Sequence, residues 1–126
     1  MTIKRLLLGS SGEGEAVRCL KEHGYRIIEK NYRCRYGEID IIASDRGTIA
    51  FVEVKTRSSD AYGTPGEGVD RRKQLHITRA SLQYMSENNI TDRDARFDVV
   101  SIMRGRGGLE PELIKDAFSA DVLDEC

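Results

Sequence analysis

GEIDIIASDRGTIAFVEVKTR, residues Gly37 to Arg57, reads as two strands joined by a tight turn. Glu38-Ile39-Asp40-Ile41-Ile42-Ala43 and Thr48-Ile49-Ala50-Phe51-Val52-Glu53-Val54-Lys55-Thr56 are apolar and rich in β-branched residues. Asp45-Arg46-Gly47 supplies the turn, with Gly47 free to take positive φ. Strand alternation puts Glu38 and Asp40 on one face, and Glu53 and Lys55 on one face. If Arg46-Gly47 is a two-residue hairpin loop, Asp45 pairs with Thr48, Asp40 falls opposite Glu53, and Glu38 falls opposite Lys55. Residues opposed in this way have Cα atoms only about 4.5 to 5.5 Å apart. Like charges so placed destabilise a sheet, and a divalent cation would relieve the conflict, because hard oxygen ligands suit Mg²⁺ or Mn²⁺. With a lysine two residues from one ligand, the set suits phosphodiester hydrolysis. The plainer reading is a solvated face of alternating charge, and a three-residue loop with a bulge would shift the register by one.

A chain of 126 residues is expected to form one domain with a proper core. Its charged fraction of 33% and hydrophobic fraction of 39% are those of an ordinary globular protein. No apolar run reaches the length of a membrane span, and the three leucines after Lys4-Arg5 are too few for a signal-peptide core. The expected location is therefore cytoplasmic. Cys19, Cys34 and Cys126 are odd in number and widely spaced, which indicates neither a disulfide framework nor a zinc site. A net charge of −1 argues against non-specific coating of DNA. It leaves local nucleic-acid binding open, since distribution matters more than the sum. Arg57, Arg71, Arg72 and Lys73 cluster in sequence just after the hairpin, whereas acidic residues gather at the C-terminus.

Residues 1–10 read as a lead-in, with Ser11 capping a helix from about Glu13 to His23 that Gly24 stops. Glu13 and Glu15 would then lie in the first turn, favourable to the helix dipole. Tyr25 to Arg35 reads as a strand, followed by the hairpin and an irregular Gly/Ser/Pro-rich loop from Ser58 to Gly68. Asp70 is the expected cap of a helix from Arg71 to about Asn88, with Leu75, Thr78, Leu82 and Met85 along one face and Ala80 and Tyr84 beside it. Three cations in its first turn oppose the macrodipole. They become sensible if a phosphate sits there, and are otherwise a solvated basic patch. Arg96 to Met103 reads as a strand joined by a helical crossover, hence parallel to the hairpin's second strand. Glu112 to Lys115 suggests a short final strand, and the acidic tail beyond Phe118 is expected to fray. The element order, α-β-β-β-α-β with one further short strand, predicts an α/β fold with a mixed sheet flanked by helices.

Gly14-Glu15-Ala16, Gly24-Tyr25, Asn31-Tyr32-Arg33, Gly37-Glu38-Ile39-Asp40, Phe51-Val52-Glu53-Val54-Lys55-Thr56-Arg57 and Arg96-Phe97-Asp98-Val99-Val100 follow one another in order, with Lys115-Asp116-Ala117-Phe118 beyond them. Together they resemble the YraN family, bacterial proteins predicted to be endonucleases similar to archaeal Holliday junction resolvases. The resemblance spans roughly residues 10 to 118. It implies a restriction-endonuclease-like core of the PD-(D/E)xK superfamily, with the first acidic position on Asp40 and the (D/E)xK element on Glu53-Val54-Lys55. It also places the helix-one glutamate of resolvases on Glu15 as a metal-site member. Ile39 stands where the wider superfamily has proline.

The expected function is a metal-dependent DNA endonuclease acting on branched or otherwise structured DNA, as in recombination and repair. Asp40, Glu53 and Glu15 would hold Mg²⁺ or Mn²⁺, and Lys55 would complete the catalytic set. Arg57, Arg71, Arg72 and Lys73 would meet flanking phosphates, and Glu38 would orient Lys55. The resolvase likeness implies a homodimer. Two other readings remain: a non-catalytic nucleic-acid-binding protein with the same fold, and a protein-interaction module whose hairpin charges are merely solvated.

Overall fold

The computed structural model describes residues 3–58, 69–105 and 107–125, without the side chains of 3–11, 58, 122, 124 and 125. The Ser58–Gly68 loop expected from the sequence thus lies, from residue 59 on, outside the described residues. Helix α1 (Ile3–Glu22) is followed by strands β1 (Arg26–Cys34), β2 (Gly37–Asp45) and β3 (Thr48–Ser58). Helix α2 (Arg71–Glu87) then leads to β4 (Ala95–Gly105) and β5 (Gly108–Phe118), and a short 3-10 helix (Ala120–Glu125) follows. The five strands form one mixed sheet in the order β1-β2-β3-β4-β5, antiparallel except for the β3–β4 pair. This is the expected α/β architecture, compatible with a restriction-endonuclease-like core.

Alternation along the strands assigns the two helices to opposite faces. Ile41, Ala43, Ala50, Val52, Val100 and Ile102 pack with Ala16 and Leu20 of α1. Their neighbours Ile42, Ile49, Phe51, Phe97 and Val99 pack with Ile77, Ala80 and Tyr84 of α2. Each buried valine, leucine, isoleucine or phenylalanine among these contributes roughly 1.5–3 kcal/mol. The hairpin has the expected register, Asp45 with Thr48 through Ile41 with Val52. Arg46 and Gly47 both take positive φ, 52° and 92°, the type I′ geometry that matches strand twist.

Several boundaries differ from expectation. Helix α1 starts at Ile3, well before the Ser11 cap, so the stretch read as a lead-in is largely helical. A glycine costs only about 1 kcal/mol in a helix. Gly12 has a packing reason to be there: a Cβ on it would lie 3.3 Å from the Thr56 hydroxyl oxygen. On α2 the cap is Asp70 as expected, accepting from Lys73 N at 2.8 Å. Thr78, Ala80 and Tyr84 are buried as expected, but Ile77 and Ser81 complete the buried face and Leu82 is 53% exposed. Thr78 and Ser81 can be inside because their hydroxyls donate to the carbonyls of Gln74 and Thr78. The final strand has eleven residues rather than four, and the tail beyond it forms the 3-10 helix rather than fraying from Phe118. No described helix is long and apolar enough to cross a membrane.

Candidate active site

The β2–β3 ladder ends at Ile41–Val52, one step short of Asp40 and Glu53. There the Asp40 carboxylate accepts the backbone N–H of Val54 at 2.8 Å. Asp40 and Glu53 therefore face each other at the point where the strands stop pairing. Across β2 the register sets Asn31 between the pairs Lys30–Ile41 and Tyr32–Ile39, beside Asp40. Asn31 has φ 56°, a left-handed conformation that asparagine tolerates better than most residues.

Both acids resist ionisation. Burial raises the Asp40 carboxyl above its ordinary value; the Val54 N–H opposes this, and the charges of Glu38 and Glu13 reinforce it. Burial also pushes Glu53 up, to about 7, and the Asp40 charge adds to it. The Glu53 side chain is 8% exposed. Its Oε1 lies 3.6 Å from Lys73 Nζ, while Oε2 is buried with no hydrogen-bond partner among the described residues. A carboxylate oxygen left so is costly. Lys55 shares the α2-side face with Glu53 and, like Lys73, lowers its proton affinity.

The remaining expected residues are distributed around this pair. Lys73 Nζ lies 3.6 Å from Glu53, and its charge also acts on Asp40. Arg72 is exposed on the first turn of α2, beside Arg71, and Arg57 lies further along β3 from Lys55. Glu38 is not opposite Lys55, because the ladder has ended; it pairs across β1–β2 with Arg33, at 3.6 Å. Glu15 lies 3.3 Å from Arg18 on the same helix. The α1 acid whose charge acts on Asp40 is instead Glu13. No group of three or more acidic, histidine or cysteine side chains arranged to hold a metal occurs among the described residues.

The sequence reading missed a second charged cluster, on the α1 side of the sheet. Asp98, fully buried, accepts Tyr25 Oη at 2.6 Å, Arg96 Nε at 2.8 Å and the N–H of Asp116 at 2.9 Å. Asp45 accepts from Arg96 at 2.8 Å and from Lys115 at 3.2 Å. An aspartate inside the apolar run RFDVV was the available signal, since a buried charge requires partners.

The family model described as "Uncharacterised protein family UPF0102" matches residues 12–102, which include the second half of α1, the hairpin and most of β4. The chain belongs to the UPF0102 family. This is the YraN family that the motifs resemble. The UPF0102 protein of Syntrophus aciditrophicus is 51% identical over 115 residues, 91% of each chain. That of Moorella thermoacetica is 45% identical over 122 residues, 94% of this chain and all of the relative. That of Alkaliphilus oremlandii is 55% identical over 97 residues, 75% of this chain and 83% of its own. Both Asp40 and Glu53 fall inside the UPF0102 match.

Proposed function

We propose that this UPF0102 protein is a metal-dependent DNA endonuclease whose centre is Asp40, Glu53 and Lys55. The observation that carries the reading is the buried Oε2 of Glu53, without a partner among the described residues, beside a second carboxylate at the end of the β2–β3 ladder. That oxygen, with Asp40, makes a donor set suited to a hard divalent cation such as Mg²⁺ or Mn²⁺. A bound ion of this kind supplies Lewis acidity toward a phosphoryl oxygen and acidifies a water molecule.

The protein's own residues do the rest. Asp40 and Glu53 hold the cation, and the Val54 N–H fixes the Asp40 carboxylate in place. A third acid comes from α1: Glu15 by its match to the resolvase pattern, Glu13 by its electrostatic reach to Asp40. Lys55, a cation beside Glu53, would orient the attacking water, whose proton leaves to solvent, and stabilise charge as it grows on the phosphate. Arg57, Arg71 and Arg72 grip the flanking backbone, with Lys73 beside them. Branched or otherwise structured DNA is the substrate class we favour, cut by a homodimer in two symmetric events.

The test is cleavage of four-way junction, flap, duplex and single-stranded DNA in Mg²⁺ or Mn²⁺ against EDTA. Wild type is compared with Asp40→Asn and Lys55→Ala at matched folding. Cutting should require metal and vanish in both variants. Equal DNA binding by all three with no cutting would replace this reading with that of a non-catalytic DNA-binding protein. Separate Glu13→Gln and Glu15→Gln variants assign the third acid by which one weakens metal binding.

A further inference from the structure

Lys73 occupies an unusual position for a surface cation. Its backbone N–H is tied to the Asp70 cap, which fixes the first turn of α2. Its side chain crosses to β3, where Nζ lies 3.6 Å from Glu53 Oε1. Its charge also acts on Asp40, so one ammonium serves both carboxylates. A lysine in a helix's first turn works against the dipole, and the first turn of α2 holds no acidic residue to compensate. The Asp70 cap answers the dipole, and the Lys73 side chain itself is turned to the strand carboxylate of Glu53.

The contact is nevertheless loose. A separation of 3.6 Å is longer than a charge-assisted hydrogen bond, which is about 2.7–2.9 Å, and the Lys73 side chain is 45% exposed. A long flexible stem with an exposed head swings into solvent at little cost. Arginine, with its planar fork, would hold the carboxylate more firmly.

We propose that Lys73 is the resident counter-ion of the metal-free site, displaced from Glu53 by an incoming divalent cation and freed to engage a phosphate of the nucleic acid. This rests on the metal-site reading above and adds an order of events to it. Metal loading and the grip of Lys73 on phosphate become linked equilibria. By reciprocity, a phosphate that draws Lys73 away tightens metal binding by the same factor that metal tightens phosphate binding. Free protein then loads metal weakly and DNA-bound protein loads it well.

The experiment titrates Mn²⁺ calorimetrically into the metal-free full chain as wild type, Lys73→Met and Lys73→Arg, with melting temperatures recorded without metal. Lys73→Met should melt lower, since the carboxylates lose their counter-ion, yet bind Mn²⁺ about tenfold more tightly, near 1.4 kcal/mol. Lys73→Arg should stay closer to wild type. In wild type, the Lys73 Nζ resonance should move toward that of a solvent-exposed lysine as Mg²⁺ is added, a readout that does not depend on the variants folding. Equal or weaker Mn²⁺ affinity in Lys73→Met, or an Nζ resonance unmoved by bound Mg²⁺, overturns the counter-ion role alone. No Mn²⁺ binding by wild type or either variant overturns the metal-site reading and this inference with it.

Discussion

Replacing Glu53 by glutamine should make the metal-free protein more stable, an unusual result for a buried residue. Burial and the Asp40 charge push the Glu53 carboxyl from 4.5 up to about 7, against the opposing fields of Lys73 and Lys55. A folded-state value above the unfolded one means that the folded protein holds the proton more tightly. Stability is thus full below about pH 4.5, falls as pH rises toward 7, and stays low above it. At pH 8 the cost of keeping Glu53 ionised is about 3 kcal/mol. Glutamine keeps the shape and removes the charge. Urea unfolding at pH 5 and pH 8 measures the effect: the variant should gain about 3 kcal/mol on wild type at pH 8 and little at pH 5. For a chain of this length the gain corresponds to roughly 10 °C in melting temperature. Saturating Mn²⁺ should reverse the ranking, because only wild type keeps both carboxylates for the cation. Equal stabilities at pH 8, or a less stable variant, would show that Glu53 is comfortably ionised and would remove the physical case for a cation site.

Asp98→Asn should destabilise by about 3–5 kcal/mol in urea, because it breaks a buried charge pair and leaves Arg96 under-compensated. Asp45 behaves oppositely to Glu53: the Arg96 hydrogen bond, aided by Lys115, holds its carboxyl below 3.8. Its contribution is present above that pH and lost below it, so Asp45→Asn should cost about 1.5–3 kcal/mol at pH 7 and progressively less in acid unfolding below pH 3.8. Arg72→Ala should lower DNA affinity and reduce the slope of log K against log salt by about 1, with no change in melting temperature.

The hairpin was legible because its signals are local. A two-residue Arg46-Gly47 loop between alternating strands admits one register, and that register carries Asp40 to Glu53. The Asp70 cap was legible for the same reason. The inner face of α2 was legible only in part, although the helical period was right. Thr78, Ala80 and Tyr84 are inside as their spacing suggests, but Leu82 is exposed and Ser81 is buried, its hydroxyl satisfied within the helix. The length of β5 was hidden by a bulge: pairing slips between Phe97–Phe118 and Val99–Ile114, and Asp116 turns left-handed at φ 54°. That slip breaks the alternation that announces a strand. It also gives Lys115-Asp116-Ala117-Phe118 a physical role, with Lys115 on Asp45, the Asp116 N–H on Asp98, and Phe118 stacked 4.9 Å from Phe97. Contacts 70 residues apart leave no periodic trace. Lys73 did leave one, a cation against the dipole, but nothing local says whether a phosphate or a carboxylate answers it.

The two charged clusters of the sheet make the strongest comparison in the molecule. On the α1 side, Asp45 and Asp98 are buried and well supplied: Arg96, Lys115, Tyr25 and a backbone N–H all point at them. That is how a carboxylate is kept inside a fold for stability. Asp40 and Glu53 sit in the same sheet with the lysines Lys73, half-exposed and 3.6 Å from Glu53, and Lys55 acting on Glu53, and with a Glu53 oxygen that meets no donor among the described residues. The fold that equips one pair so fully leaves the other under-served. A site kept at a stability cost calls for a reason outside stability. A cation brought in from solution, with the phosphate it would activate, answers the unpartnered Glu53 oxygen and the basic turn of α2 together, which neither a solvated face nor a purely structural ion pair does.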